Sequence, residues 1–480
     1  MKPFGNMIDP RVRLIGSEDA VYRDIDPKWH SFYLNLWNDG VIRDLCARGL
    51  LLETRLKQSE KGEGGIVRFE QSRLPFVSYP HEWAASMLRA AAEQCLALHE
   101  ALLDRGLCLV DSHPWNFVFH GGRPLWVDLT SLDRFSPSVA AGGLRQFKVF
   151  FLNALDVISR GEEEIARSLM AHSFSSVSDA CYRMILAGGN WQRQSWPRRI
   201  PALFMRAHLH SFRMMFAEWR RFWQFRPSEF STPSRAKKVV ARLRAELNGL
   251  SASINTHEWT SYIQAGQDAL TPVEMETRIL AATRYENAKV RAMDKWLGDL
   301  RGEARTVLDL GCNKGLFAQI AWMHGFTVAG VDADPGAIDS MFHSVVHSKA
   351  SISCGIADFV SPREGLGMLT NPLPTFVERF RSDIVVCVAV THHLYFGRYR
   401  MRLHLIARLL SMYARKYLIV EFVPKEDPFL KNHYPESSSE AGYSIESFSQ
   451  AMAEGFVEME VLPSFPSGRS LLLLRKRQLA

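Results

Sequence analysis

The chain has 480 residues, of which 47% are hydrophobic and 23% charged, and its formal net charge is +7. This length predicts two or three domains, and this composition excludes a disordered or fibrous chain. No apolar run approaches the roughly 20 residues of a membrane span, and the first residues lack the apolar core of a secretory signal, so we expect a cytoplasmic protein. The seven cysteines form no C-x-x-C pair, so neither a zinc cluster nor a disulfide framework is indicated.

The first predicted domain covers residues 1–190. Two strand-like runs, 49–56 and 65–71, lie on either side of a glycine-rich turn. A helix is predicted for 82–105 because apolar residues recur on one face until Gly106 ends the pattern.

A polar motif follows this helix. Asp111 is followed five residues later by Asn116, and Asp128 comes after a short strand-like run. This arrangement resembles the catalytic loop of kinases and aminoglycoside phosphotransferases, in which the first acid accepts the substrate proton while the Asn and second acid hold Mg²⁺. The histidine that usually precedes the loop, the Phe-Gly that follows the second acid, the nucleotide-covering glycine loop and its lysine are all missing. We therefore favour a kinase-derived scaffold that binds acceptor or nucleotide without turnover, or a structural hydrogen-bond network.

The second predicted segment, 191–255, is a basic and aromatic helical connector. Thirteen Lys or Arg stand against three acids between residues 193 and 246. A helix is predicted for 201–226, with an aromatic stripe on one face and arginines on another. The stripe could pack on a neighbouring domain, lie on an anionic membrane surface, or bind an acidic or lipid-linked acceptor. No recognition motif indicates nucleic acid.

The third predicted domain, 256–480, reads as an α/β fold. Apolar strand-like runs alternate with helical patterns, which predicts a Rossmann-like, seven-stranded and mostly parallel sheet closed by an antiparallel hairpin. The predicted strands are 306–310, 327–331, 352–357, 384–390, 417–422, 457–462 and 470–474.

A glycine-containing turn in this domain predicts a nucleoside-cofactor pocket. The turn after the first strand has the pattern G-x-x-x-G, at Gly311 and Gly315, and Asp332 stands where a ribose diol can donate to it. A dinucleotide site would instead have G-x-G-x-x-G at the pyrophosphate. Asp309, expected in the loop region, would repel phosphate but suits an ammonium and a sulfonium, which favours S-adenosylmethionine. The alternative is an ordinary βα turn in another doubly wound sheet.

These residues resemble class I S-adenosylmethionine-dependent methyltransferases in four motifs, VLDLGCNKG, GVDAD, IADF and VAVTHHL. More narrowly, IVEFVPKEDP and the block LVDSHPWNFVF…RPLWVDLTSL make nearly the whole chain similar to rhizobial nodulation proteins of the NoeA type. The resemblance implies that Gly311 and Gly315 hold the methionine part, Asp332 the ribose hydroxyls and Asp358 the adenine amino group. The implied cofactor-binding set is Asp309, Gly311, Cys312, Asn313, Gly315, Asp332 and Asp358.

Candidate catalytic residues follow later strands. A hydroxyl acceptor is a poor nucleophile, so a base is useful, and His392 and His393 are expected at a strand end with pKa values near neutrality. We expect only one of them to face the pocket, and plain loop or core roles are the alternative. Glu421, near the end of the next strand, is a further candidate, for which a solvated or N-capping role is the alternative.

The resemblance implies methylation of a carbohydrate or other hydroxyl acceptor, with a role in host-specific nodulation or surface-glycan modification. The rival hypothesis is a phosphotransferase or pseudokinase-type binding protein whose C-terminal domain binds the cofactor as a regulatory ligand. Substitution at Asp332 or at Asp128 distinguishes the two.

Overall fold

The computed structural model describes residues 2–3, 9–58, 66–171, 177–178, 181–182, 185, 225–250, 287–362, 367–368, 371–435, 440 and 442–477. The predicted glycine-rich turn and nearly all of the predicted helix 201–226 lie outside these residues. No helix in the described ranges combines the length and apolar character needed to cross a membrane.

An antiparallel sheet begins the N-terminal half, with five strands among the described residues in the order β1-β2-β3-β5-β4. Only the last two strands were predicted from the sequence. The strands are β1 (Lys2–Pro3), β2 (Val12–Gly16), β3 (Ala20–Ile25), β4 (Thr54–Gln58) and β5 (Val67–Ser72).

A largely helical layer follows this sheet, and α3 is its centre because one of its faces is fully buried. Gly106 ends α3 with a positive φ of 66°, as predicted. The helices are α1 (His30–Asn38), α2 (Val41–Ala47), α3 (Ala85–Leu103), α4 (Pro137–Phe147), α5 (Asn153–Ser159) and α6 (Glu163–Ala171). Two antiparallel ribbons pair β6 (Leu107–Leu109) with β9 (Leu132–Arg134) and β7 (Phe117–His120) with β8 (Arg123–Trp126).

The described end of the connector is a helix, α7 (Pro233–Asn248), that the sequence analysis missed. The Thr232 side chain accepts a hydrogen bond from the Arg235 N–H, and proline occupies the first turn, so the start signal was present. An ion pair of 2.7 Å from Arg244 to Glu100 ties this helix to α3.

The C-terminal half contains the predicted mixed sheet, with seven strands among the described residues in the order β12-β11-β10-β15-β16-β18-β17. The first five of these run parallel, and β18 pairs antiparallel with both β16 and β17. The predicted Rossmann-like sheet with an antiparallel hairpin is confirmed. The strands are β10 (Thr306–Leu310), β11 (Thr327–Asp332), β12 (Ile352–Ile356), β15 (Ser382–Cys387), β16 (Ala414–Phe422), β17 (Phe456–Pro463) and β18 (Ser470–Lys476), and a separate ribbon pairs β13 (Gly367–Met368) with β14 (Asn371–Pro372).

Helices cover both faces of this sheet, because its parallel strands are apolar on both sides. Along β10, Val307 packs into one hydrophobic cluster and Leu308 into the other. The helices are α8 (Ala288–Leu300), α9 (Leu316–Met323), α10 (Pro335–Ser348), α11 (Phe376–Phe380), α12 (Thr391–Phe396), α13 (Leu403–Tyr413), α14 (Pro428–His433) and α15 (Ile445–Met452).

Two polar contacts join the halves of the chain. The Asp339 carboxylate, on α10, accepts hydrogen bonds from the Ser86 N–H at 2.9 Å and the Ser86 hydroxyl at 2.6 Å, at the start of α3. The Arg379 guanidinium, on α11, pairs with the Glu82 carboxylate at 2.5 Å, and both side chains are almost fully buried.

Candidate functional site

The turn after β10 has a backbone that requires glycine at two positions. Gly311 and Gly315 have φ of 70° and 83°, a region that residues with a Cβ rarely adopt. A Cβ on Gly311 would lie 2.4 Å from Val390 Cγ2, and one on Gly315 would lie 2.8 Å from Met341 Cε. A side chain at either position would therefore strain the backbone and displace a neighbouring side chain.

Asp332 is the last residue of β11, and its carboxylate is fixed against this turn. One oxygen accepts from the Asn313 N–H at 2.8 Å, and the other accepts from the Asp334 N–H at 2.9 Å. Burial raises the pKa of Asp332, although these backbone hydrogen bonds oppose the rise. The carboxylate can still accept from a ribose diol, since two oxygens offer about four lone-pair sites.

Asp309 lies inside β10, so its expected place in the loop region is wrong. Its side chain is 2% exposed and accepts a hydrogen bond of 3.1 Å from the Ala318 N–H at the start of α9. Burial raises its pKa to about 7. Cys312 is also buried, and its sulfur lies 3.6 Å from Met341 Sδ, so its side chain packs against Met341. Its predicted part in cofactor binding stays a prediction.

Asp358 follows β12 at the same edge of the sheet. Its carboxylate accepts from the Val360 N–H at 3.1 Å and from the Tyr399 hydroxyl. Burial and this hydrogen bond raise the pKa of Tyr399 to about 12, so the tyrosine stays a donor. The predicted contact of Asp358 with an adenine amino group stays a prediction, and it would share the carboxylate with Tyr399.

His392 and His393 begin α12 and do not extend the preceding strand, which ends at Cys387. Their rings lie 4.0 Å apart between centroids. Burial lowers the pKa of His392 well below its ordinary value and that of His393 to about 4, so the expected titration near neutrality is wrong. Both imidazoles are neutral at pH 7, and His392 Nδ1 is buried with no hydrogen-bond partner among the residues described.

Glu421 is fully buried, which excludes the solvated role, and it lies within β16, which excludes the N-capping role. One carboxylate oxygen lies 2.8 Å from Lys289 Nζ and accepts from the Ser464 hydroxyl. The other lies 3.8 Å from Arg469 Nη1 and has no hydrogen-bond partner within the described ranges. Burial lowers the pKa of Lys289, although Glu421 opposes this.

A second buried pair lies beside the first. Arg469 Nε donates to Asp427 at 2.7 Å. Although burial opposes it, the hydrogen bonds from Arg469 lower the pKa of Asp427. The nearby Tyr443 hydroxyl is buried and without a partner in the described part of the chain. The sequence analysis missed Lys289, Arg469 and Tyr443, and no motif marks them.

The kinase-like block forms a second cluster. The Asp111 carboxylate accepts from Gln146 Nε2 at 3.1 Å, and Asn116 Nδ2 is buried with no partner among the described residues. The Asp128 side chain accepts from the Thr130 N–H at 3.0 Å, so it caps the following turn. No group of three or more His, Cys, Asp or Glu in the described ranges could hold a metal ion. Catalytic or ligand-binding roles for Asp111, Asn116 and Asp128 stay predictions.

Comparison with known proteins gives two kinds of relative. The chain is 24% identical over 460 residues to the nodulation protein NoeA of Rhizobium meliloti (strain 1021), covering 94% of this chain and 91% of NoeA. The predicted resemblance is confirmed. The chain is also 30% identical over 95 residues to the ribosomal protein L11 methyltransferase of Burkholderia mallei (strain NCTC 10229), and it covers only 32% of that enzyme.

Among solved structures, the chain is similar to magnesium protoporphyrin IX methyltransferase from Synechocystis PCC 6803 with bound SAM. The TM-score is 0.30 at 16% identity, and the match covers 46% of this chain and 89% of that one. No family model matches the chain.

Proposed function

We propose that this chain is an S-adenosylmethionine-dependent methyltransferase that methylates a neutral hydroxyl group on a carbohydrate acceptor. Its similarity to a nodulation protein supports a role in nodulation or in surface-glycan modification. The observation that carries the proposal is the fixed Asp332 carboxylate beside a turn that admits only glycine at Gly311 and Gly315.

The residues around this turn suit the charges of S-adenosylmethionine. The cofactor carries an ammonium and a sulfonium, whereas a dinucleotide carries a pyrophosphate. Asp332 is the last residue of β11, and Asp309 lies one residue before the end of the neighbouring strand β10. In their ionised forms these carboxylates would repel phosphate and attract a cation. Their buried positions strengthen both effects because the interior screens charge less than water does.

The neighbouring buried cluster supports a neutral acceptor. Lys289 pairs with Glu421, and Arg469 pairs with Asp427, so the positive and negative charges balance. A charged acceptor would bring an uncompensated charge into this cluster, which is costly in a buried site.

Three polar atoms in this cluster have no hydrogen-bond partner in the described ranges: His392 Nδ1, Glu421 Oε2 and the Tyr443 hydroxyl. Buried polar groups nearly always have a partner, so these atoms indicate that a ligand or water completes the site. A sugar hydroxyl can both donate and accept, which satisfies a carboxylate oxygen and a tyrosine hydroxyl together.

S-adenosylmethionine, when bound, supplies a methyl group on a sulfonium. The chain's own contribution is alignment, because holding two reactants at near-attack distance can supply about 7–11 kcal/mol of the barrier. With the cofactor bound, methyl transfer would break its sulfur–methyl bond and release a neutral thioether, and the neutral imidazole of His392 would accept the proton of the acceptor hydroxyl. Burial lowers the pKa of His392, so it would act as a weak base. A positioned base adds about 10²–10⁴-fold in rate.

The first test replaces Asp332. Asp332→Ala removes the acceptor for the ribose hydroxyls, and we expect it to abolish transfer of labelled methyl groups to a glycan fraction and to weaken cofactor binding in calorimetry. Asp299→Ala on α8 is the matched control, because it removes an exposed acid outside the site. Undiminished methyl transfer by Asp332→Ala would show that the cofactor site lies elsewhere.

A second test separates the structural and functional roles of Glu421. Glu421→Gln leaves Lys289 buried without its partner, which should lower the free energy of unfolding by about 3–5 kcal/mol. The double variant Glu421→Gln/Lys289→Met removes both charges, so it should recover most of this stability in denaturant titrations. Methyl transfer should stay about tenfold or more reduced, because the acceptor hydroxyl loses its hydrogen bond to the Glu421 carboxylate. If the double variant kept full methyl-transfer activity, Glu421 would have only a structural role.

A further inference from the structure

A cavity of about 470 Å³ lies between the N-terminal sheet and the ribbon of β7 and β8, away from the cofactor turn. Its volume is in the range of small-molecule sites. The cavity has two apolar walls. Val21 on β3 and Leu52 form the wall on the side of the sheet, and Val118 and Val127 form the opposite wall. Such walls suit an aromatic ring or an aliphatic chain.

Arg23 is a buried charged residue in the lining of this cavity, whereas Arg73 and Glu378 line it from exposed positions. Arg23 is 6% exposed, and its guanidinium donates to the Gln71 side chain. Within the described ranges, no carboxylate lies within 4.0 Å of this guanidinium, unlike the buried arginines at positions 379 and 469. Asp128 acts on Arg23 only at longer range, and burial lowers the pKa of Arg23.

A buried arginine without a carboxylate is costly, because the charge loses its water and gains only an amide dipole. Gln71 is held by a further bond of 2.9 Å from its Nε2 to the Thr54 hydroxyl, so the guanidinium is kept facing the cavity. The Arg23 guanidinium is therefore positioned to pair with an anionic group of a ligand.

The C-terminal half closes one side of the same cavity. Pro374, Glu378 and Arg379 line it from the segment that includes α11. Arg379 is already paired with Glu82, which leaves Arg23 as the buried cation available to a ligand among the residues described.

We propose that this cavity binds an organic anion, with its apolar ring or chain between Val21, Leu52, Val118 and Val127 and its anionic group on Arg23. This site is separate from the methyl-transfer site, and the proposal does not rest on the proposed function. It requires binding only and no group transfer.

The test uses two fluorescent probes that differ in charge. The probe 8-anilinonaphthalene-1-sulfonate has aromatic rings and a sulfonate, and N-phenyl-1-naphthylamine lacks the sulfonate. We expect saturable binding of the anionic probe to the full-length protein, weakened about tenfold or more by Arg23→Met, while binding of the neutral probe is unchanged. Arg68→Met is the control, because Arg68 lies on the opposite face of β5 from Gln71 and pairs with Asp24.

The proposal would be overturned if Arg23→Met and Arg68→Met lost the same affinity for the anionic probe, or if neither lost any. It would also be overturned if the wild-type protein did not bind the anionic probe. If Arg23→Met does not fold, Val118→Phe tests the proposal instead. The phenylalanine ring fills the cavity, so this variant should bind neither probe, and retained binding would overturn the proposal. Competition by ATP and by oleate then separates a nucleoside phosphate from a fatty-acid carboxylate as the source of the anion.

Discussion

Asp309 is only partly ionised at neutral pH in the free protein, because burial raises its pKa to about 7 from an ordinary value of 3.8. An ammonium or sulfonium nearby favours the ionised carboxylate, so cofactor binding below pH 7 must release a proton. We therefore predict that the cofactor association constant rises with pH up to about 7 and then levels off. Calorimetry in buffers of different ionisation enthalpy measures both the affinity and the released proton.

The control for this prediction is Asp309→Asn, which keeps a hydrogen-bond acceptor for the Ala318 N–H but cannot ionise. Its affinity should be weaker and independent of pH between 5 and about 8. A wild-type affinity that does not change across this range would mean that Asp309 does not sense the cofactor charge.

At the same scale, the sequence predicted the residues whose roles depend on local spacing. Gly311 directly follows β10 and Asp332 ends the neighbouring parallel strand β11, and the C-terminal ends of such strands meet at one edge. Lys289 and Arg469 could not be predicted in this way, because they reach Glu421 from distant parts of the chain. The pKa values of the two histidines also depend on burial, which a sequence does not display.

At the scale of elements, the C-terminal strands were predicted within a few residues, because parallel strands buried on both faces are continuous apolar runs. The exception is the run 384–390, where the apolar pattern continues past Cys387 into the turn before α12. The N-terminal sheet was largely missed. In β3, Arg23 occupies an inward position that usually holds an apolar residue, so the alternation that marks a strand is broken.

At the scale of the whole molecule, Arg379 connects the two halves through a buried ion pair. Its guanidinium also donates to the Val77 carbonyl at 2.6 Å and lies 3.6 Å from the Tyr79 ring centroid. Arg379→Ala would leave the Glu82 carboxylate buried and unpaired, so we predict a loss of about 3–5 kcal/mol in the free energy of unfolding.

Denaturant titration followed by intrinsic fluorescence measures this loss. The matched control is Arg55→Ala, which removes an exposed arginine that pairs with Glu53 and should leave the unfolding midpoint unchanged. If Arg379→Ala unfolds at the wild-type denaturant concentration, the contact between the halves is not a stabilising one.

The contact between Asp339 and Ser86 gives Asp332 an indirect link to the N-terminal half. Helix α10 begins three residues after Asp332 and, one turn later, presents the carboxylate that anchors the first turn of α3. The two halves are consequently not interchangeable modules. If the C-terminal half were joined to another protein, the Asp339 carboxylate would lose its hydrogen bonds to Ser86 and the Arg379 guanidinium would lose its ion pair with Glu82. Both groups would then lack the partners that they have in this protein.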